Sequence, residues 1–147
     1  ELHDALAKLG GETLVAALAQ AGPDGFASEL PQDPAQVTYA HKITGPDCVV
    51  DWHGAAGAID RQVRALTPRP GAAADVAGFK VKLLAGRPFG GAADAAPGTL
   101  VTHGPEGIVV ACGEGLYTVS ELKPEGKGRM SAAAFSNGYL SRRAAAR

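Results

Sequence analysis

The chain has 147 residues, of which 46% are hydrophobic, with 14 basic and 15 acidic side chains. This length suits one ordinary domain with an appendage, and no apolar run approaches the roughly 20 residues that a membrane helix requires. Cys48 and Cys112 lie far apart in the sequence. Their spacing favours neither a disulfide scaffold nor a zinc site, and we expect a cytoplasmic protein.

The charge is distributed unevenly along the chain. Residues 1–60 carry two bases and nine acids, a net charge of −7, whereas residues 61–147 carry twelve bases and six acids, a net charge of +6. A split of this size suggests an anionic partner for the second half. An ordinary solvated basic surface is the alternative that charge alone leaves open.

Residues 2–20 are predicted to form a helix with one apolar stripe. The stripe recurs at steps of three to five residues, which is typical of a helix: Leu2, Leu6, Leu9, Leu14 and Leu18. A Gly-Pro pair follows it and ends the pattern. Because the chain begins at Glu1 inside this pattern, we expect a piece of a longer protein. We expect the stripe to pack on a part of that protein outside this chain.

Residues 23–50 are predicted to be a linker. Four prolines punctuate this stretch, and the residue before each is biased to extended backbone: Pro23, Pro31, Pro34 and Pro46. Such a segment is semi-rigid rather than a flexible Gly/Ser coil.

A second helix is predicted over residues 51–67, with Asp51 as its N-cap. Its apolar face steps by four and three residues: Trp52, Ala56, Ile59, Val63 and Leu66. Trp52, the sole tryptophan, is expected to anchor this helix against the rest of the domain. Asp60 precedes Arg64 by four residues, so a local ion pair is expected there.

From Gly71 onward the apolar residues recur at every second position, which is the period of a β-strand. In residues 79–83 the apolar residues alternate with Lys80 and Lys82, which predicts a strand with one basic face. Further strands are predicted at 72–76, 100–102, 108–112 and 116–122. Five short strands at roughly ten-residue spacing suggest a small barrel. Ser131 is predicted to cap a last helix through Phe135 that Asn137-Gly138 stops, and residues 141–147 are expected to be loose.

The glycine-rich segments do not match a phosphate-binding loop. Residues 86–91 lack the Gly-Lys-Ser/Thr ending, and Gly113-Glu114-Gly115 places an acid where a phosphate would lie, so both are predicted to be hairpin turns. Cys112, inside an apolar run, is expected to be an inert core thiol. The four histidines fall in different elements without ligand spacing, so we expect no metal site: His3, His41, His53 and His103. We therefore assign no catalytic residue in this chain.

Several strings in collinear order over nearly the whole chain resemble methionyl-tRNA formyltransferase. The more specific ones are residues 37–43 (VTYAHKI) and 68–72 (PRPGA). The others are residues 2–4 (LHD), 7–10 (AKLG), 51–52 (DW), 59–66 (IDRQVRAL), 122–127 (LKPEGK) and 129–131 (RMS), followed by Phe135 and Gly138.

The resemblance implies a two-domain enzyme that transfers a formyl group from 10-formyltetrahydrofolate to the amino group of methionyl initiator tRNA. By the same resemblance, its catalytic domain is Rossmann-like and carries an Asn, a His and an Asp that act together, and its C-terminal domain is an OB-like barrel that holds tRNA. Asn137 is the only asparagine in this chain, so that catalytic group is not assembled from these residues. The resemblance therefore implies three parts: residues 1–22 as the terminal helix of the catalytic domain, 23–50 as the linker and 51–147 as the OB-like five-stranded barrel.

On this interpretation the chain binds and positions tRNA, is inactive alone, contains no cofactor and is expected to be a monomer. The predicted tRNA-contacting residues are Lys42, Arg69, Lys80, Lys82, Lys123, Lys127 and Arg129. A second hypothesis stays open: the barrel is a structural or dimerising module of a sugar-nucleotide or folate formyltransferase and has no nucleic-acid role.

Overall fold

The structure is a computed structural model that describes residues 2–23, 25–26, 30–91 and 94–141. The chain divides into two units, Glu1–His41 and Lys42–Arg147. No helix of the described residues is long and apolar enough to cross a membrane.

The first unit begins with helix α1, Leu2–Ala19, close to the predicted 2–20. None of its described residues is buried, and its leucines are more than half exposed, from 56% at Leu6 to 73% at Leu2. A short 3-10 helix, Pro34–Gln36, follows in the proline-rich stretch, where the Asp33 carboxylate accepts a hydrogen bond from the Ala35 backbone N–H at 2.9 Å. Part of the predicted linker, residues 24 and 27–29, lies outside the described residues.

The second unit contains helix α2, which spans Ala56–Leu66 and not 51–67. Four residues of the predicted face, Ala56, Ile59, Val63 and Leu66, lie on α2 in the core. Trp52 is buried as well, but it lies in the turn before the helix, so its prediction as a helix residue is wrong. The N-cap prediction is wrong, because the cap residue is Ala55. Asp51 instead closes the preceding turn through its carboxylate, which accepts the His53 N–H at 2.9 Å.

The late start of α2 follows from its contact with the turn at Gly113-Glu114. The Ala56 N–H donates to the Glu114 carbonyl at 2.9 Å, and the Gly113 N–H donates to the Trp52 carbonyl at 2.8 Å. A Cβ at Gly113 would overlap the His53 carbonyl oxygen, so only glycine allows this approach. These bonds hold residues 52–55 out of the helix.

Six antiparallel strands form the sheet of the second unit. Their bounds are Ala72–Val76 (β1), Phe79–Phe89 (β2), Leu100–Gly104 (β3), Gly107–Ala111 (β4), Leu116–Pro124 (β5) and Met130–Ser131 (β6). The order is β1-β2-β5-β4-β3, and β6 pairs with β5. All five predicted strands are present, and the two-residue β6 was not predicted.

The mainly β architecture with flanking helices is confirmed, but the five-stranded barrel is not. Among the described strands β1 and β3 form the two ends of the path and do not pair with each other, so the sheet is open. Strand β2 is also longer than predicted and includes Gly86, which is therefore a strand residue and not part of a hairpin turn. The segment Gly113-Glu114-Gly115 does lie between β4 and β5, as predicted.

The core lies between α2, the inner face of the sheet and the C-terminal helical segment. Side chains from all three parts share one buried cluster, including Val63, Leu83, Tyr117 and Phe135. Ser131 caps helix α3, Ala132–Phe135, as predicted, since its hydroxyl accepts from the Ala134 N–H at 3.2 Å. Asn137-Gly138 does not stop the helix, because the chain continues as a π-helical turn over Ser136–Leu140. Most of the predicted loose tail, residues 142–147, lies outside the described residues.

Candidate nucleic-acid interface

A basic face forms where β2 runs between β1 and β5. Val81 and Leu83 of β2 point into the core, so the alternating Lys80 and Lys82 lie on the opposite, exposed face. The register places Lys82 directly opposite Lys123 of β5. Three positive side chains therefore share one face of two neighbouring strands.

These three lysines line a groove with a volume of about 340 Å³. The other lining residues are small, apolar or part of a turn: Ala73, Val81, Pro124, Glu125 and Gly126. Among the described residues, none of the three lysines has a carboxylate within ion-pair distance. The groove therefore presents three lysines without ion-pair partners, and Glu125 is the one acidic residue in its lining.

The turn that follows β5 closes one end of this groove. The Glu125 N–H donates to the Lys80 carbonyl at 3.1 Å, and the Lys127 N–H donates to the Pro124 carbonyl at 3.1 Å. Lys127 follows Gly126 of the groove lining and is exposed. This turn adds a fourth exposed cation next to the groove.

The loop after α2 also adjoins the groove. The Lys82 ammonium donates a hydrogen bond to the Pro70 carbonyl at 2.8 Å. Arg69, the residue before Pro70, is exposed in the same loop. The contact between Lys82 and this loop thus brings a fifth predicted cation to the neighbourhood of the groove.

Of the seven predicted tRNA-contacting residues, four do not line the groove: Arg69 and Lys127 lie in the loops beside it, and Arg129 and Lys42 have other surroundings. Arg129 forms an ion pair with Glu121, and its side chain is 62% exposed, so part of its charge is already compensated. Lys42 is exposed in the segment before the short 3-10 helix Pro46–Cys48. The expected ion pair between Arg64 and Asp60 is confirmed at 2.8 Å.

Sequence reasoning missed two features of the second unit. Arg87 is exposed near the end of β2, in the portion of the strand that was not predicted. The Pro70 carbonyl accepts a hydrogen bond from the Lys82 ammonium. A contact to a backbone carbonyl cannot be recognised from residue types alone. The Pro-Arg-Pro-Gly string at residues 68–71 marks this loop in the sequence, but it does not indicate the contact with Lys82.

The described residues offer no metal site. No group of three His, Cys, Asp or Glu side chains among them could hold a metal ion. His103 Nδ1 lies 2.6 Å from the Ser136 hydroxyl, but Ser136 is buried, so this pair ties β3 to the C-terminal segment. Burial raises the pKa of the Cys112 thiol, which agrees with its prediction as an inert core residue.

Comparison with known proteins places this unit in a recognised group. A family model described as "Formyl transferase, C-terminal domain" matches residues 42–140. Methionyl-tRNA formyltransferase of Burkholderia vietnamiensis is 44% identical over 137 residues, which is 93% of this chain and 42% of that protein. Methionyl-tRNA formyltransferase of Burkholderia multivorans is 42% identical over the same share of each chain. The chain therefore spans less than half the length of these relatives.

A solved structure shares the fold. A crystal structure of HypX from Aquifex aeolicus aligns with a TM-score of 0.67 and 20% identity, over 88% of this chain and 23% of that one. At this identity the alignment supports the fold alone.

Proposed function

The chain belongs to the formyl transferase C-terminal domain family, and on that premise we propose that it binds and positions methionyl initiator tRNA. The relatives that share about 43% identity are named methionyl-tRNA formyltransferases, which supports the choice of substrate. The observation that carries the proposal is the groove lined by Lys80, Lys82 and Lys123. Its exposed cations suit a sugar-phosphate backbone.

We divide the predicted contact residues by their surroundings. Lys80, Lys82 and Lys123 form the centre of the proposed interface, and Lys127 and Arg69 extend it through the two adjoining loops. Arg129 contributes less because Glu121 already compensates part of its charge. Lys42 is proposed as a separate contact in the linker, which we place at residues 23–50 between the terminal helix of the catalytic domain and the tRNA-binding domain.

The formyl transfer itself is proposed to take place on a part of the full-length enzyme outside this chain. The groove does not fit the formyl donor, because none of its lining residues offers an aromatic ring or a side-chain amide for a pteridine. We therefore assign 10-formyltetrahydrofolate to the catalytic domain of the full-length enzyme. The chain alone is expected to form no formyl-methionyl-tRNA above a blank without protein, and the full enzyme is proposed to act in the cytoplasm.

Salt dependence of tRNA binding tests this proposal. With about four phosphate contacts the plot of log affinity against log salt should have a slope of about −3 to −4, at roughly 0.7–0.9 per phosphate. Lys80→Ala combined with Lys82→Ala should flatten that slope by about one to two units. The control for net charge is Arg61→Ala with Arg64→Ala, which removes two positive charges from helix α2 on the other side of the sheet, one of them, that of Arg64, paired with Asp60.

Two outcomes would contradict the proposal. Equal slopes for the two double variants would show that net charge, and not this groove, governs binding. Absence of any salt-sensitive binding by the unaltered chain would favour the second hypothesis, a structural or dimerising module in a formyltransferase that acts on a small molecule.

A further inference from the structure

Lys82 is held by a backbone contact that the other groove lysines lack. Its ammonium donates to the Pro70 carbonyl at 2.8 Å, 12 residues earlier in the chain. Within the described residues, the ammonium groups of Lys80 and Lys123 have no such hydrogen bond. One cation of the groove is therefore oriented before any ligand arrives.

Gly71 determines where the Lys82 side chain lies. Its φ is +86°, and a Cβ built on it would be 3.0 Å from Lys82 Cδ and 3.3 Å from Lys82 Cβ. Its N–H donates to the Leu66 carbonyl at 2.9 Å, so the end of α2 fixes its backbone. The aliphatic stem of Lys82 therefore lies against the bare Cα of Gly71, with its ammonium at the next carbonyl back along the chain.

We propose that Gly71, together with the Pro70 carbonyl, is a positioning element that holds Lys82 ready to bind an RNA phosphate in the groove. This inference rests on the proposed tRNA-binding function. Gly71 does not itself touch the RNA; it acts through Lys82.

The chemistry of the lysine ammonium supports this role. An ammonium has three N–H donors and Pro70 takes one, so two remain for phosphate oxygens. Immobilising a lysine costs more side-chain entropy than immobilising most other residues. Because the hydrogen bond to Pro70 restricts Lys82 in the folded protein, part of this entropy is lost on folding and not on binding. Lys123 is the cross-strand neighbour of Lys82, so both side chains leave the same face of the sheet.

A double-mutant cycle on tRNA affinity tests the inference. Lys82→Met keeps an apolar stem without the charge and should weaken binding of initiator tRNA about three- to fivefold, as expected for one exposed ion pair. Gly71→Ala should weaken binding by a smaller factor and flatten the salt slope by less than the roughly 0.7–0.9 lost with Lys82→Met. In the Lys82→Met background, Gly71→Ala should change neither affinity nor slope.

Gly115→Ala is the control for backbone strain. Gly115 has a φ of +77°, but a Cβ there would make only an ordinary contact with Ala56 at 3.7 Å, away from the groove. It should lower stability like Gly71→Ala and leave tRNA affinity and salt slope unchanged. If Gly71→Ala does not fold, NMR of the lysine ammonium groups in the unaltered chain replaces it. Lys82 should then show slower proton exchange than Lys80.

The outcomes separate this inference from the function on which it rests. If Lys82→Met weakens binding but Gly71→Ala has no effect, or has an equal effect in both backgrounds, the positioning role is wrong and the tRNA-binding proposal stands. If neither Lys82→Met nor the Lys80/Lys82 double variant changes affinity, the proposed function itself fails. Equal ammonium exchange at Lys80 and Lys82 would also overturn the positioning role.

Discussion

Lys82 and Lys123 face each other directly across the antiparallel strands β2 and β5. Like charges at such a position repel and destabilise the sheet, and no carboxylate of the described residues lies within ion-pair distance of either. The Lys82 ammonium has the Pro70 carbonyl as a partner, whereas that of Lys123 has no hydrogen bond within the described residues. On the proposed tRNA-binding function, a phosphate that contacts both lysines would offset the repulsion.

Lys123→Glu should therefore stabilise the domain and weaken tRNA binding. Replacing the repulsion with a cross-strand ion pair is expected to raise the free energy of unfolding by roughly 0.2–1 kcal/mol at low salt. The gain should shrink at high salt, because exposed charges are screened. Urea denaturation at two salt concentrations and a tRNA titration measure the two effects.

Lys127→Glu is the matched control, since Lys127 lies in the turn after β5 and not opposite another cation. It should lower tRNA affinity without the gain in stability. A stability change that is the same in both variants would show that the repulsion across β2 and β5 is insignificant.

Trp52→Ala should destabilise the second unit strongly. The indole is 8% exposed, its N–H donates to the Asp75 carbonyl at 3.1 Å, and its ring lies 6.5 Å from the Tyr117 ring. Deleting a buried aromatic of this size costs about 3–5 kcal/mol. Urea denaturation followed by circular dichroism measures the change without relying on tryptophan fluorescence.

Phe89→Ala provides the comparison for Trp52→Ala. Phe89 is 49% exposed at the end of β2, so its truncation should cost much less. Equal losses for the two variants would show that the indole is not an anchor.

Tyr117→Phe should stabilise the protein and flatten the alkaline limb of its stability profile. Among the described residues the buried Tyr117 hydroxyl has no hydrogen-bond partner, and an unpaired buried hydroxyl costs about 1–3 kcal/mol. Burial, joined by the nearby Asp60 charge, raises the pKa of Tyr117 above its usual range. The unfolded chain therefore releases this proton near pH 10 while the folded chain retains it, so stability falls as pH rises beyond about 10.

Denaturation at pH 8 and pH 10.5 tests this prediction. At pH 8 the variant should be the more stable protein, and its advantage should grow at pH 10.5. A variant that is less stable than the parent at pH 8 would show that the hydroxyl has a partner in solution.

The sequence pattern was sufficient for the elements whose period is regular. Helix α2 and the strand around Lys80 and Lys82 are each buried on one side only. One-sided burial appears in the sequence as a regular spacing of apolar residues. The start of α2 could not be read in this way. It depends on the turn at Gly113-Glu114, which is about sixty residues away and competes for the backbone of residues 52–55.

The extent of β2 and the setting of Lys82 also depend on long-range contacts. Two register shifts interrupt the pairing of β2 with β5 between Leu83 and Gly86, so the simple alternation stops and Arg87 was not recognised as a strand residue. Lysine composition predicted a basic surface. It did not distinguish Lys82, which is held by Pro70, from Arg129, which is paired with Glu121.

Charge removal at the groove should weaken initiator and elongator tRNA about equally. Contacts to phosphates position a nucleic acid but carry no sequence information, and the proposed role of the groove lysines is contact with phosphates. The Lys80→Ala and Lys82→Ala double variant should therefore lower both affinities by the same factor, with parallel changes in salt slope. Competition titrations of the two tRNAs against one labelled tRNA measure the ratio directly, with the Arg61→Ala and Arg64→Ala double variant as the control for net charge. If the variant loses initiator tRNA selectively, these lysines contact bases and not only phosphates. An unchanged ratio would show that the choice of initiator tRNA does not depend on these lysines.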